Sequence, residues 1–127
     1  MINGKVWGNT RALLQNALVE FHRIEIKADG FCSLHKHQYK WNAFYVVSGE
    51  LEIEVHKNDY NLIDRTILTP GDFMTVKPGE YHRFHAGPDT VAFELYWPEL
   101  LSSDIVRRDV GGEKKMTTTG VTKINGV

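Results

Sequence analysis

Short β-prone runs, cut at regular intervals by Gly and Pro turns, constrain this chain more than any other feature. Ser48-Gly49, Thr69-Pro70-Gly71-Asp72, Lys77-Pro78-Gly79-Glu80 and Ala86-Gly87-Pro88-Asp89 each follow closely on an apolar run. Pro removes a backbone donor and Gly supplies left-handed φ, so these stretches read as turns. Between them, residues 43–47, 51–55, 62–68, 73–76, 81–85 and 91–97 read as strands. The clearest is 51–55, where Leu51, Ile53 and Val55 alternate with Glu52 and Glu54. That parity puts one face in a core and the other in water. Residues 19–26 are also β-rich, with alternation that slips near His22-Arg23 as a bulge would make it. Residues 56–61 read as a polar hairpin loop. Residues 9–18 leave helix and strand open, since Asn9 can cap a short helix carrying Leu13, Leu14, Ala17 and Leu18 on one face. The pattern as a whole predicts an all-β sandwich or barrel.

The chain of 127 residues suits one domain, expected over 1–110, with a loose Gly-, Thr- and Lys-rich tail over 111–127. Fifteen Lys and Arg against sixteen Asp and Glu leave a net charge of −1. A nucleic-acid binder of this size is usually more basic. No apolar run reaches the length of a membrane span, and Met1-Ile2-Asn3-Gly4-Lys5 shows no secretory leader. The single cysteine, Cys32, cannot close an intrachain disulfide, which predicts a reducing, cytoplasmic location. It reads as a small buried apolar residue rather than a nucleophile.

Six histidines carry the functional signal through their placement. His35 and His37 are two apart in an extended context, so their rings share a face. His82 follows a Pro-Gly turn, where a neighbouring strand can bring it over the same spot. Three imidazoles from two strands can hold one divalent metal and leave positions open for substrate. Zn, Mn, Fe and Ni all suit that donor set.

These residues resemble a known pattern. Gly30 through His35-Lys36-His37, then Asn42 and Gly49, is similar to the first cupin motif. Gly71-Asp72 and Pro78-Gly79-Glu80-Tyr81-His82 are similar to the second. The resemblance implies a double-stranded β-helix, the cupin jelly-roll barrel. It also implies a metal held by His35, His37, His82 and the residue at position 42. Asn42 stands where cupins usually carry a Glu. Its carbonyl oxygen can ligate, but it brings no charge.

A narrower resemblance spans about residues 5–108, to the mannose-6-phosphate isomerase type II domain. It rests on Lys5-Val6-Trp7-Gly8, Ser33-Leu34 through Val46-Val47-Ser48-Gly49, Pro78 through Arg83, and Asp104-Ile105-Val106-Arg107. It implies a metal-dependent aldose–ketose isomerase of sugar phosphates. Glu94 is then the candidate general base, if strand parity turns it inward rather than to solvent. Two other readings stand beside it: an oxygenase with a three-His iron site, and a non-catalytic cupin that binds a sugar or another small ligand. Lys40 and Arg65 are candidates to meet a phosphate. Tyr45 and Tyr96 are candidates to stack on a sugar. Tyr39, Phe44, Phe84 and Trp97 read mostly as core. His85, Lys36 and Arg83 read as surface, and Trp7 as packing a strand edge. A homodimer is expected through sheet edges, at residues 5–8 or 19–26.

Overall fold

The computed structural model describes residues 2–57, 62–98 and 106–115, and these form an antiparallel two-sheet barrel. In chain order the strands are β1 (Ile2–Lys5), β2 (Gly8–Gln15), β3 (Glu20–Ile26), β4 (Trp41–Ser48), β5 (Leu51–Lys57), β6 (Leu62–Leu68), β7 (Phe73–Val76), β8 (Tyr81–Ala86) and β9 (Thr90–Trp97). The first sheet has the order β1-β2-β3-β9-β4-β7, and the second β6-β5-β8. The all-β jelly-roll expectation holds. The open choice over residues 9–18 resolves to strand, because Gly8 to Gln15 pairs with β3 along its length.

Inward residues of both sheets meet in one apolar cluster. Ile24, Ile26, Phe44, Val46 and Ala92 come from the large sheet, and Leu51, Ile53, Val55, Phe84 and Ala86 from the small one. The parity read from 51–55 is observed: Leu51, Ile53 and Val55 are at most 1% exposed. Burying an aliphatic side chain of this size contributes about 1.5–3 kcal/mol. At Gly49, φ is +88°, and a Cβ would lie 2.4 Å from the Thr90 hydroxyl. The turn from β4 to β5 therefore needs glycine.

Several expectations are corrected. Alternation does not slip within β3: His22 and Arg23 pair in regular register with β9. The irregularity lies in β2, between Ala12 and Leu14, across from His22 and Phe21. The hairpin expected from His56 begins later, since β5 runs to Lys57, and residues 58–61 lie outside the described residues. Residues 19–26 are not a sheet edge, because β3 is paired on both sides. Residues 5–8 form the tip between β1 and β2, and β1 and β7 are the outer strands of that sheet. Trp7 packs its ring against Phe84 of the core, with centroids 4.9 Å apart, rather than against an edge. Tyr39 is 81% exposed and takes no part in the core. Of the expected tail, residues 111–115 are exposed, and 116–127 lie outside the described residues. Asp104 and Ile105 lie outside them as well.

Candidate metal centre and its cavity

The segment before β4 carries two of the three histidines and is not a regular strand. It is stitched instead to the free side of β8. Cys32 N–H donates to the Phe84 carbonyl, and His35 and His82 exchange backbone bonds of 3.1 and 2.8 Å. His37 is fixed from another direction, since Gly79 N–H donates to its carbonyl at 2.8 Å. The Lys77–Glu80 turn thus places both His82, on the strand it opens, and His37, across from it.

The three rings converge. Centroids of His35 and His82 are 4.7 Å apart, those of His35 and His37 5.0 Å, and those of His37 and His82 5.4 Å. One ring nitrogen from each lies within 4.8 Å of the others. The Ser33 carbonyl sits 2.7 Å from His35 Nδ1, and the Glu80 carbonyl 2.9 Å from His82 Nδ1. A carbonyl there places the proton on Nδ1 and leaves Nε2 as a lone pair, the usual outer support of a metal-ligating histidine.

Asn42 completes this picture. Its Oδ1 lies 2.9 Å from His82 Nε2. Its Nδ2 donates to the Leu95 carbonyl at 3.0 Å and to Glu94 Oε2 at 3.4 Å, which fixes the amide orientation. His82 therefore meets a carbonyl oxygen at each ring nitrogen. A neutral imidazole has one N–H, so either tautomer leaves one acceptor facing another. A second proton would cure this, but burial pushes the His82 pKa down. Burial first, then the charge of His35 and His82, pushes His37 down to about 4. The His37 Nδ1 is buried without a hydrogen-bond partner. Neutral imidazoles, an orphaned nitrogen and a frustrated lone-pair contact fit a divalent cation as the missing partner. His35, His37, His82 and the Asn42 carbonyl oxygen are the donors this arrangement presents.

Strand parity turns Glu94 inward. It is 8% exposed, opposite His22 on β3 and Phe44 on β4. Burial raises its pKa against the hydrogen bonds from Tyr96 and Asn42. The Tyr96 hydroxyl donates to Glu94 Oε2 at 2.7 Å, and the Tyr96 ring packs on His37. A cavity of about 900 Å³ reaches His35, His37, Glu94 and Tyr96 and opens past Lys5, Lys27 and Lys40. That volume is in the range of small-molecule sites.

Three cavity groups escaped the sequence reading of the site. Glu20 and His22 of β3 line it, joined by a 3.2 Å contact, and Thr10 Oγ1 lies 3.4 Å from the His22 ring. The hydrogen bond from His22 is the largest influence on the Glu20 carboxyl; helped by the charge and hydrogen bond of Lys40, it outweighs desolvation and holds that carboxyl below its ordinary range. Their signal was parity, since both alternate in phase with buried Ile24 and Ile26. Lys40 Nζ lies 3.3 Å from Glu20 and over the Tyr96 ring.

Other candidates fall outside the cavity. Arg65 is on the small sheet, 3.5 Å from Glu54. Tyr45 is on the outer face of the large sheet, stacked near Phe93. His85 is exposed against Phe31, and Lys36 lies over Tyr81. Burial pushes the Cys32 thiol up to about 11, so it is inert as a nucleophile.

A family model described as a cupin domain matches residues 22–98. No curated protein matches the chain. Among solved structures, KdgF from Halomonas sp. superposes with a TM-score of 0.66 at 18% identity, covering 77% of this chain and 84% of that one. An RmlC-like cupin from Shewanella frigidimarina gives 0.63 at 22%, covering 84% and 88%. CapF, solved with the inhibitor 3-isopropenyl-tropolone, gives 0.67 at 18%, covering 82% of this chain but 32% of CapF. At these identities the superpositions speak to the fold.

Proposed function

The chain belongs to the cupin domain family, and from that premise we propose that it is a metal-dependent enzyme of small oxygenated substrates, an aldose–ketose isomerase of sugar phosphates such as mannose 6-phosphate. The observation that carries the reading is Glu94. It is a buried carboxyl of raised pKa in the same cavity as three convergent histidines. A carboxyl tuned upward is suited to take a proton near neutral pH and give it back.

The metal held by His35, His37, His82 and the Asn42 oxygen would supply Lewis-acid polarisation of adjacent carbonyl and hydroxyl oxygens. Glu94 removes the proton from the carbon next to the carbonyl and returns it to the former carbonyl carbon, while the proton of the adjacent hydroxyl passes to the former carbonyl oxygen. Tyr96 holds the Glu94 carboxyl in place through its 2.7 Å hydrogen bond. Lys5 and Lys27 line the cavity and can meet an anionic group of the substrate, while Lys40 is already paired with Glu20 and Asp29 adds a second acid to the same wall. The apolar wall of Trp7 and Phe84 excludes water from one side. The reading retains a cytoplasmic location.

A second reading has its own observation. Asn42 brings no charge, and Glu94 Oε2 already accepts from both Asn42 and Tyr96. A cupin that binds a sugar without turning it over would suit that arrangement. Incubation with mannose 6-phosphate and each of Zn, Mn, Fe and Ni in deuterated water separates the two. Isomerisation with deuterium at C1 of the ketose product supports the enzyme. Tight binding with no label supports the binding protein, and oxygen consumption by an iron-loaded sample favours oxygenase chemistry.

A further inference from the structure

Isomerisation moves two protons, and Glu94 accounts for one of them. It serves the carbons, while a second proton must pass between the two oxygens. Glu94 is poorly placed for both tasks, because its Oε2 already accepts from Tyr96 and Asn42. The cavity has another imidazole beside the convergent set. His22 of β3 lines it and stands directly opposite Glu94 of β9 in the sheet register. Side chains paired in this way on one face have Cβ atoms about 4.5–5.5 Å apart, so both can reach neighbouring atoms of one substrate. The His22 side chain is 16% exposed, held by its neighbours yet open to the cavity.

Its two nitrogens are unequally held. Nε2 lies 3.2 Å from Glu20 Oε1, and Nδ1 lies 3.4 Å from the Thr10 hydroxyl. Lys40 takes the other oxygen of Glu20 at 3.3 Å. The Glu20 carboxyl stays ionised, being held below its ordinary range, and a carboxylate only accepts. An acceptor at Nε2 places the ring proton there and leaves Nδ1 as the lone pair. The Thr10 contact is longer than a good hydroxyl hydrogen bond, so a substrate hydroxyl that comes closer takes its place.

We infer that His22 is the second proton-transfer group of this cavity, carrying a proton between adjacent oxygens of the substrate, and that Glu20 orients it. The inference rests on the isomerase reading above. Once Glu94 has taken the carbon proton, the former carbonyl oxygen is anionic and the adjacent oxygen still bears its hydrogen. His22 Nδ1 takes that hydrogen as a proton and becomes an imidazolium, stabilised by the Glu20 carboxylate. It then gives the proton to the former carbonyl oxygen. The electron pair left on the first oxygen forms the new carbonyl as Glu94 returns its proton to the former carbonyl carbon. No oxidant or second reactant enters.

Metal-loaded wild type and variants, incubated with mannose 6-phosphate in deuterated water, test this. Deuterium at C2 of the recovered aldose reports the Glu94 step alone, whereas ketose needs both transfers. His22→Asn should lower ketose formation at least tenfold more than C2 exchange, with metal content unchanged. Glu20→Gln should move the ratio the same way by a smaller factor. Glu94→Gln should lose exchange and ketose together. A His22→Asn protein that keeps the wild-type ratio overturns the inference and leaves the role of Glu94 standing. Should His22→Asn not fold, Glu20→Gln decides, and a wild-type ratio there overturns the inference equally. Wild type that neither exchanges nor isomerises with Zn, Mn, Fe or Ni overturns the isomerase reading and this inference with it.

Discussion

The two ends of the barrel are built from the same strands and do opposite work. Along β3, inward residues run from Glu20 and His22 to Ile24 and Ile26; along β9, from Tyr96 and Glu94 to Ala92; along β4, from Asn42 to Phe44 and Val46. One end is therefore closed by aliphatic side chains, with Ile24, Val46, Ile53, Ala86 and Ala92 fully buried. The other end is lined by imidazoles, carboxylates and an amide, open to the cavity beside Lys40. The polar end is tolerable because its buried groups are paired, as Asn42 and Glu94 are. What remains unpaired there, the His37 Nδ1 and the His82–Asn42 contact, marks where a ligand belongs. The aliphatic end carries the core and the polar end carries the donors on which the proposed function rests, so substitutions should separate the two.

The largest expected effect is on Glu94→Gln. Isomerase kcat should fall by roughly 10²–10⁴-fold, the usual range for loss of a general base. Metal content and melting temperature should stay near wild type. A variant that keeps its turnover removes Glu94 from the chemistry.

A pair of truncations tests the division directly. Ile53→Ala at the closed end should cost about 3 kcal/mol of stability and leave metal affinity unchanged. His82→Ala should reduce metal affinity beyond the roughly 10–100-fold typical of outer-shell changes. Denaturant melts and competition with a chelating dye read the two quantities. Equal effects of both substitutions on both quantities would dissolve the distinction between the ends.

A smaller effect is expected for Asn42→Glu. A carboxylate adds Coulombic attraction to a divalent cation, so the affinity should rise by about tenfold. The new carboxylate also lies beside Glu94 and should raise that pKa further. Calorimetric titration of both proteins with one metal at one pH is the measurement. Equal affinities would mean that position 42 does not reach the metal.

The smallest effect concerns pH. His37 titrates near 4 when folded and His82 is also lowered, so the unfolded chain binds protons more readily than the folded one. Metal-free protein should lose stability as pH falls from about 6.5 toward 4. Glu94 has the opposite sign: its raised pKa favours the folded state on acidification, which blunts the loss. His37→Phe should flatten the profile, as thermal melts across that window would show. An unchanged slope would mean that the polar end is not its source.

Much of this was legible in the residues. Parity placed the core of β5, the Gly and Pro turns placed the strand ends, and the spacing of His35, His37 and His82 named a cluster that the fold does bring together. Glu94 was left between two faces, because alternation gives two sides of a strand without saying which is inside. The pairing with β3 and β4 decided it. Likewise Tyr45 and Tyr96 are both strand tyrosines, yet one is outside the barrel and the other lines the cavity.

The sequence by itself determined the class of fold, the turns and the chemistry of the donor set, because those depend on local φ/ψ limits, period-two alternation and side-chain type. Tertiary structure decided the rest. It turned β3 from a presumed edge into an interior strand, brought Glu20 and His22 to the cavity, and set the Asn42 oxygen against His82. These outcomes depend on which strands become neighbours, and that is fixed by the joint burial of two sheets rather than by any one segment.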